Sequence, residues 1–187
     1  YPSFPLHEEY AVMMGAEVEQ VSVTSDLEVD LDALIEAVAK PAKMLIFANP
    51  MNPVGCWLRP NDLEAVIKAK HPDTLLVLDE AYYEFAHDLS SEFPNSASYD
   101  YENVLTLRTF SKAYGIAAIR IGYAIGHEKL IEAIMKVKLT FEPSNLAQAA
   151  GIGALSDTEY LKNTIENNSA EIKKYYQTFE DLNLNYT

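Results

Sequence analysis

Four short, continuous apolar runs separated by helix-length polar stretches leave this chain few folds to choose from. The runs are AKMLIFAN, TLLVLDE, NVLTLRTF and IRIGYAIG. Between and around them lie stretches with helical signals. DLDALIEAVAK is amphipathic, with Asp30 or Asp32 near its start, where negative charge suits the helix dipole. RPNDLEAVIKAK carries Pro60 in its first turn, and HEKLIEAIMKVK follows the fourth run. A strand buried on one face alternates apolar and polar residues, whereas a strand covered on both faces is apolar throughout. Alternation of such runs with helices therefore predicts an α/β fold of three layers, αβα, around a mostly parallel sheet. One strand departs from the parallel rule. The short stretch between LTLRTF and IRIGYAIG barely leaves room for a crossover helix, so IRIGYAIG is predicted to run antiparallel.

Upstream, HEEYAVMMG reads as a short helix closed by Gly15, and AEVEQVSV alternates as a strand with one solvated face. Downstream of Asp157, the residues Leu161, Ile165, Asn168, Ile172, Tyr175, Phe179 and Leu182 recur in steps of four and three, the stripe of one long helix. Such a helix either links the sheet to another domain or packs against its own sheet. The chain begins at Tyr1 without a start methionine and stops at Thr187, just after LNLNYT, which resembles the beginning of another strand. It is therefore expected to be a segment of a longer polypeptide. Residues 1–156 are expected to form a large domain, and residues 157–187 a long helix and the start of a small C-terminal domain.

Charge narrows the partners. A net charge of −14 argues against nucleic acid and against anionic lipid, since both need clustered Lys and Arg. No apolar run approaches the roughly 20 residues that span a bilayer. The N-terminus lacks a signal-peptide pattern. Cys56 is the only cysteine, which excludes an internal disulfide and fits a reducing, cytoplasmic compartment. His7, His71, His87 and His127 show no metal-ligand spacing with each other or with Cys56, so no metal site is expected.

Open parallel sheets bind ligands beyond the carboxyl ends of their strands. Three segments there are chemically unusual: ANPMNPVG at 48–55, DEAYYEF at 79–85 and RTFSKAYG at 108–115. Taken singly, each has a plain explanation as a tight turn, a helix cap or a solvated lysine. Together, at one predicted sheet edge, they supply an amide, a carboxylate, a phenol, hydroxyls, an amine and, at Arg120, a guanidinium.

These segments resemble the NPxNPTG, DEAY and SKxxG…R signatures of the class I/II aminotransferases, which have the fold-type-I architecture and use pyridoxal 5'-phosphate. The resemblance extends from about Pro2 to Asp157. RTFSKAYG followed by IRIGY, with DEAYYEF, is most similar to the histidinol-phosphate aminotransferases. It implies roles for individual residues. Lys112 would carry the cofactor as a Schiff base and then move protons as base and acid. Asp79 would pair with the pyridinium nitrogen and keep the ring an electron sink. Asn52 and Tyr82 would bond its phenolic oxygen. Thr109, Ser111 and Arg120 would hold its phosphate, and Phe4 would stack on its ring. Val54 stands where the motif usually has Thr, Met51 where Asn is common, and Ala118 where Gly is frequent.

The implied reaction is amino transfer between a phosphorylated amino alcohol and a 2-oxo acid, by a homodimer. Alternatives within the fold are an aminotransferase for aromatic or other amino acids, and a threonine-phosphate decarboxylase or C–S lyase. A further alternative is the cofactor-binding sensor domain of a transcription regulator, which would need a basic winged-helix segment upstream. The residues that grip the substrate are expected mainly outside this segment.

Overall fold

The computed structural model describes residues 1–186. Its centre is a four-stranded sheet in the order β1-β2-β3-β4, formed by Met44–Ala48, Leu75–Asp79, Val104–Thr109 and Gly122–Gly126. β1 pairs parallel to β2, and β2 parallel to β3, while β4 returns antiparallel along β3. The reversal occurs because the connection from Thr109 to Gly122 contains only loop and one short 3-10 turn, Ala117–Ile119. A parallel return would need a full crossover helix.

The helices follow in chain order: α1 Pro5–Met13, α2 Leu31–Ala39, α3 Pro60–Ala69, α4 Tyr83–Leu89, α5 Glu128–Val137, α6 Asn145–Ser156 and α7 Thr158–Asp181. Local chemistry sets several of their ends. Asp30 accepts a hydrogen bond from the Ala33 amide at 3.0 Å, which caps α2. Pro60 occupies the first turn of α3, where its missing N–H costs nothing. Gly15, at φ +81°, carries the chain away from α1 in the left-handed conformation that ends many helices.

Central β2 explains its own sequence. Leu76, Val77 and Leu78 are all buried, because layers cover both faces of the strand. On one face, Leu76 and Leu78 join Leu34, Val38, Leu63, Val66 and Ile67 from α2 and α3 in the main core. β4 forms an edge, and its glycines serve close approach: a Cβ on Gly122 would lie 2.8 Å from the Arg108 carbonyl oxygen.

AEVEQVSV does not form the expected strand. Residues 16–23 are irregular: Ala16 N–H donates to the Ala11 carbonyl at 3.0 Å, Val23 N–H donates to the Tyr1 carbonyl at 3.2 Å, and the Tyr1 amine reaches the Val21 carbonyl. Alternation was right in part: Val21 and Val23 pack against the core, whereas Val18 is exposed. A strand also needs a neighbouring edge to pair its backbone, and alternation says nothing of that.

The long helix forms as α7, capped by Asp157, which accepts from the Tyr160 amide at 2.9 Å. Leu161, Ile165, Asn168 and Ile172 of the stripe are half-buried, and Ser169 Oγ donates to Asp88 at 3.1 Å on neighbouring α4. Tyr175 and Leu182, further along, stand exposed. The first half of α7 thus rests on this chain and the second half projects from it. Of LNLNYT, residues 182–186 form turn and coil, and Thr187 lies outside the described residues. No helix among the described residues is long and apolar enough to cross a membrane.

Candidate active site

Sheet register brings the three unusual loops together. Ala48, the last residue of β1, is level with Asp79, the last of β2, and Asp79 is level with Leu107 near the end of β3. The ladder continues one step into the loops: the Asn49 amide donates to the Asp79 carbonyl at 2.9 Å, and the Glu80 amide to the Leu107 carbonyl at 2.9 Å. Loops 49–58, 80–82 and 110–121 therefore start side by side.

Asn49 folds the first loop. It is fully buried, and its Oδ1 accepts from the Leu58 amide at 3.0 Å, closing the loop across nine residues. Gly55 turns at φ +81°, and Val54 packs against the core, which accounts for an apolar side chain at that position. Asn52 then faces Tyr82, with Nδ2 3.5 Å from the phenolic oxygen. Lys112 Nζ lies 5.2 Å from the centre of the Tyr82 ring. The lysine is exposed and lies in a loop whose next residue, Ala113, is fully buried, so the backbone is fixed while the amine is free to reach.

Asp79 is held at both oxygens. Oδ1 accepts from the Ala81 amide at 3.1 Å, and Oδ2 is bonded to His7 Nε2 at 2.9 Å. His7 lies on α1, and its ring meets that of Phe4 edge-to-face at 5.4 Å. Phe4 thus reaches the group through His7.

A third cluster gathers Thr109, Ser111 and Arg120. Thr109 Oγ1 accepts from the Ser111 amide at 3.0 Å, and Arg120 Nη1 donates to Ser111 Oγ at 3.3 Å and to the Ala117 carbonyl at 2.7 Å. Arg120 sits at φ +56°, ψ 54°. A non-glycine residue there stores strain of about 1–3 kcal/mol, and such residues concentrate at ligand sites. Two hydroxyls and a planar fork of donors suit a bound phosphate. The carboxylate, the amide–phenol pair, the exposed amine and this anion cradle make a donor set that fits pyridoxal 5'-phosphate.

Sequence reasoning missed two residues here, His7 and Glu80. Glu80 follows Asp79 and therefore points to the opposite face of the sheet, where it is fully buried. Its Oε2 accepts from Arg108 Nε at 2.9 Å and Nη2 at 2.7 Å, and Oε1 accepts from the hydroxyl and amide of Ser96. The Arg108 guanidinium also lies 3.5 Å from the centre of the Tyr83 ring and donates to Asn95 at 2.7 Å. Burial pushes the Glu80 carboxyl above the usual carboxylate range, against the pull of Ser96 and Arg108. A buried charge requires a partner, and Arg108, beside Leu107 in β3, was the signal that could have found it.

Replacing Arg108 should show the size of that requirement. Arg108→Met leaves a buried carboxylate unpaired and is expected to destabilise the protein by about 3–5 kcal/mol. Without the cation the folded-state pKa of Glu80 rises further, so its contribution is complete below its ordinary unfolded value and is lost as pH climbs through the folded one. Denaturant unfolding should therefore show a larger deficit at pH 8 than at pH 5.5. Equal deficits at the two pH values would contradict this reading.

With this geometry in place, comparison with known proteins is decisive. The family model described as aminotransferase class I and II matches residues 1–183. The chain belongs to that family. It is 46% identical over 174 residues to histidinol-phosphate aminotransferase 1 of Mesorhizobium japonicum, an alignment covering 91% of this chain and 47% of that protein. It is 45% identical over 170 residues to histidinol-phosphate aminotransferase 3 of Rhizobium meliloti. Among solved structures, the histidinol-phosphate aminotransferase of Sinorhizobium meliloti in complex with pyridoxal-5'-phosphate matches with a TM-score of 0.88 and 33% identity, covering 96% of this chain and 48% of that one. The chain spans about half the length of the curated relatives it matches. As a member of this family it has the fold-type-I architecture of its structural neighbours, with the mixed sheet and single antiparallel pair described above.

Proposed function

We propose that this aminotransferase segment belongs to an enzyme that transfers the amino group of histidinol phosphate to 2-oxoglutarate, using pyridoxal 5'-phosphate. The observation that carries the reading is the convergence of Lys112, Asp79, the Asn52–Tyr82 pair and the Thr109–Ser111–Arg120 cradle at one sheet edge. When bound, the cofactor supplies an electron sink for the carbon that loses a proton. The protein's residues divide the remaining work. Arg120, Ser111 and Thr109 would anchor the phosphate, and Phe4 would cover a face of the ring. Asn52 and Tyr82 would orient it through its phenolic oxygen. Asp79 would hold a proton on the ring nitrogen, because a carboxylate in a half-buried site attracts a cation more strongly than in water. Lys112 Nζ would hold the cofactor at rest and, once released, take the proton from the amine-bearing carbon of the substrate.

In this reading residues 1–156 form the cofactor-binding large domain, and α7 leads into a small C-terminal domain. The complete enzyme would be a cytoplasmic homodimer. The relatives named above, all histidinol-phosphate aminotransferases, support the choice of amino donor.

The test is an amino-transfer assay on the complete polypeptide with cofactor, 2-oxoglutarate and a panel of donors. Histidinol phosphate should give the highest kcat/KM. A preference for aromatic amino acids, or carbon dioxide release from threonine phosphate, would overturn the proposed substrate.

A further inference from the structure

We infer that Tyr160 is a positioning residue for Lys112, acting through the main chain of Gly115. This rests on the proposed function, in which Lys112 carries the cofactor. The turn that presents the lysine is short and closed by two backbone bonds. The Gly115 amide donates to the Lys112 carbonyl at 2.9 Å, and the Ile116 amide to the Phe110 carbonyl at 3.2 Å. Gly115 completes the turn at φ +71°, in the left-handed region that side chains disfavour. Conformation alone would account for a glycine there. The space beside it is also taken: an added Cβ would overlap the Tyr160 hydroxyl and lie 3.0 Å from Cζ and 3.3 Å from Cε1 of that ring. The tip of the phenol fills the place of the absent side chain.

Tyr160 is itself held in place. It stands in the first turn of α7, where Asp157 Oδ1 accepts from its amide at 2.9 Å. Asp157 is the single residue between α6 and α7. α6 in turn seats on both ends of the lysine loop: its Gly151 is buried, and a Cβ there would lie 3.2 Å from Ile121 Cδ1 and 3.8 Å from Phe110 Cζ. α6 thus braces the ends of the loop, and Tyr160 presses on its turn. The tyrosine is 48% exposed, so its burial is incomplete, yet its polar end lies against main chain. Tyrosines at a surface ordinarily keep that end in water. Lys112 has a flexible four-carbon stem and is exposed, so the backbone turn sets where its amine starts from. Keeping that turn closed is the effect of the Tyr160 contact on the site.

The experiment uses the complete enzyme as Tyr160→Ala, Tyr160→Phe, Gly115→Ala and the combined Gly115→Ala and Tyr160→Ala variant. Amide hydrogen exchange of the peptide spanning residues 110–116 in the apoenzyme reports the turn without cofactor. The pH titration of the bound cofactor's absorbance reports the setting of the lysine amine, and thermal melts report folding. Tyr160→Ala should melt near wild type, while that peptide exchanges on the order of tenfold faster, as local opening becomes easier. The titration midpoint should shift, and kcat should fall about tenfold with KM little changed, since small misplacements of a reacting group are costly. Tyr160→Phe, which keeps ring carbons over Gly115, should recover most of each effect. Gly115→Ala should be the more damaging single change. Adding Tyr160→Ala to it should bring no further loss, because both changes disturb one contact. Wild-type exchange and titration in Tyr160→Ala, or losses that multiply in the combined variant as for independent sites, would show that Tyr160 only packs. A wild-type enzyme that takes up cofactor normally confines such a failure to Tyr160. If the wild type takes up none, the proposed function falls, and this inference with it.

Discussion

Asp79→Asn in the complete enzyme is expected to lower turnover by about a hundredfold or more while cofactor binding weakens. The substitution preserves shape but removes the negative charge that would keep a proton on the ring nitrogen, and pre-placed charges of this kind are commonly worth two to three orders of magnitude. The local hydrogen bonds make the loss concrete. Asp79 accepts from the Ala81 amide on one oxygen and from His7 Nε2 on the other. An asparagine has a single acceptor oxygen, so one of those donors loses its partner in any orientation of the amide. The check is steady-state kinetics beside cofactor titration. Turnover within about threefold of wild type, roughly 0.7 kcal/mol of barrier, would reduce Asp79 to a turn-stabilising residue.

Lys112→Ala should be more severe in rate and nearly silent in stability. The side chain is exposed, and the contact it makes is with the Tyr82 ring at 5.2 Å, so unfolding should shift by no more than about 0.5 kcal/mol. The rate effect has no such ceiling, since in the proposed function one amine would both hold the cofactor and move the proton. Loss of a catalytic nucleophile in other enzymes costs about a million-fold in kcat, and a comparable loss is expected here. Cofactor would still enter, held by the Thr109–Ser111–Arg120 cradle, but without covalent attachment. Activity surviving at a few per cent would show that another amine can substitute.

The contrast between these two variants and Arg108→Met separates chemistry from architecture at the same sheet edge. Asp79 and Glu80 are consecutive, yet strand alternation sends one toward the site and the other into a buried ion pair. The first should fail in turnover and the second in folding.

Much of this arrangement was legible in the residues because the relevant signals are local. The continuous apolar run of β2 marks a strand covered on both faces, whereas β4, from an equally continuous run, buries none of its residues, and the short β3–β4 connection marks a reversal. Apart from AEVEQVSV and LNLNYT, whose residues 182–186 form turn and coil, the expected elements appear close to where periodicity put them. α4 was not anticipated: seven residues, YEFAHDL, are too few for periodicity to register. The failure at residues 16–23 has the opposite origin, a clear pattern without a neighbouring edge. His7 was legible only as a histidine lacking metal spacing, since its partner lies 72 residues away and is reached by tertiary packing of α1. Glu80 was hidden behind Asp79, although a charged residue continuing a fully buried strand could have prompted a search for its cation. Motif resemblance selected the residues proposed to meet the ligand, whereas the residues that hold those in place emerge from the packed structure.

The central claim is that Lys112 holds the cofactor. Borohydride reduction of the complete holoenzyme, followed by proteolysis and peptide mapping, tests it most directly. The account predicts a single stable pyridoxyl label, on Lys112 within RTFSKAYG, and no label in Lys112→Ala. A label on any other lysine, or an unlabelled Lys112 in an active enzyme, would contradict it.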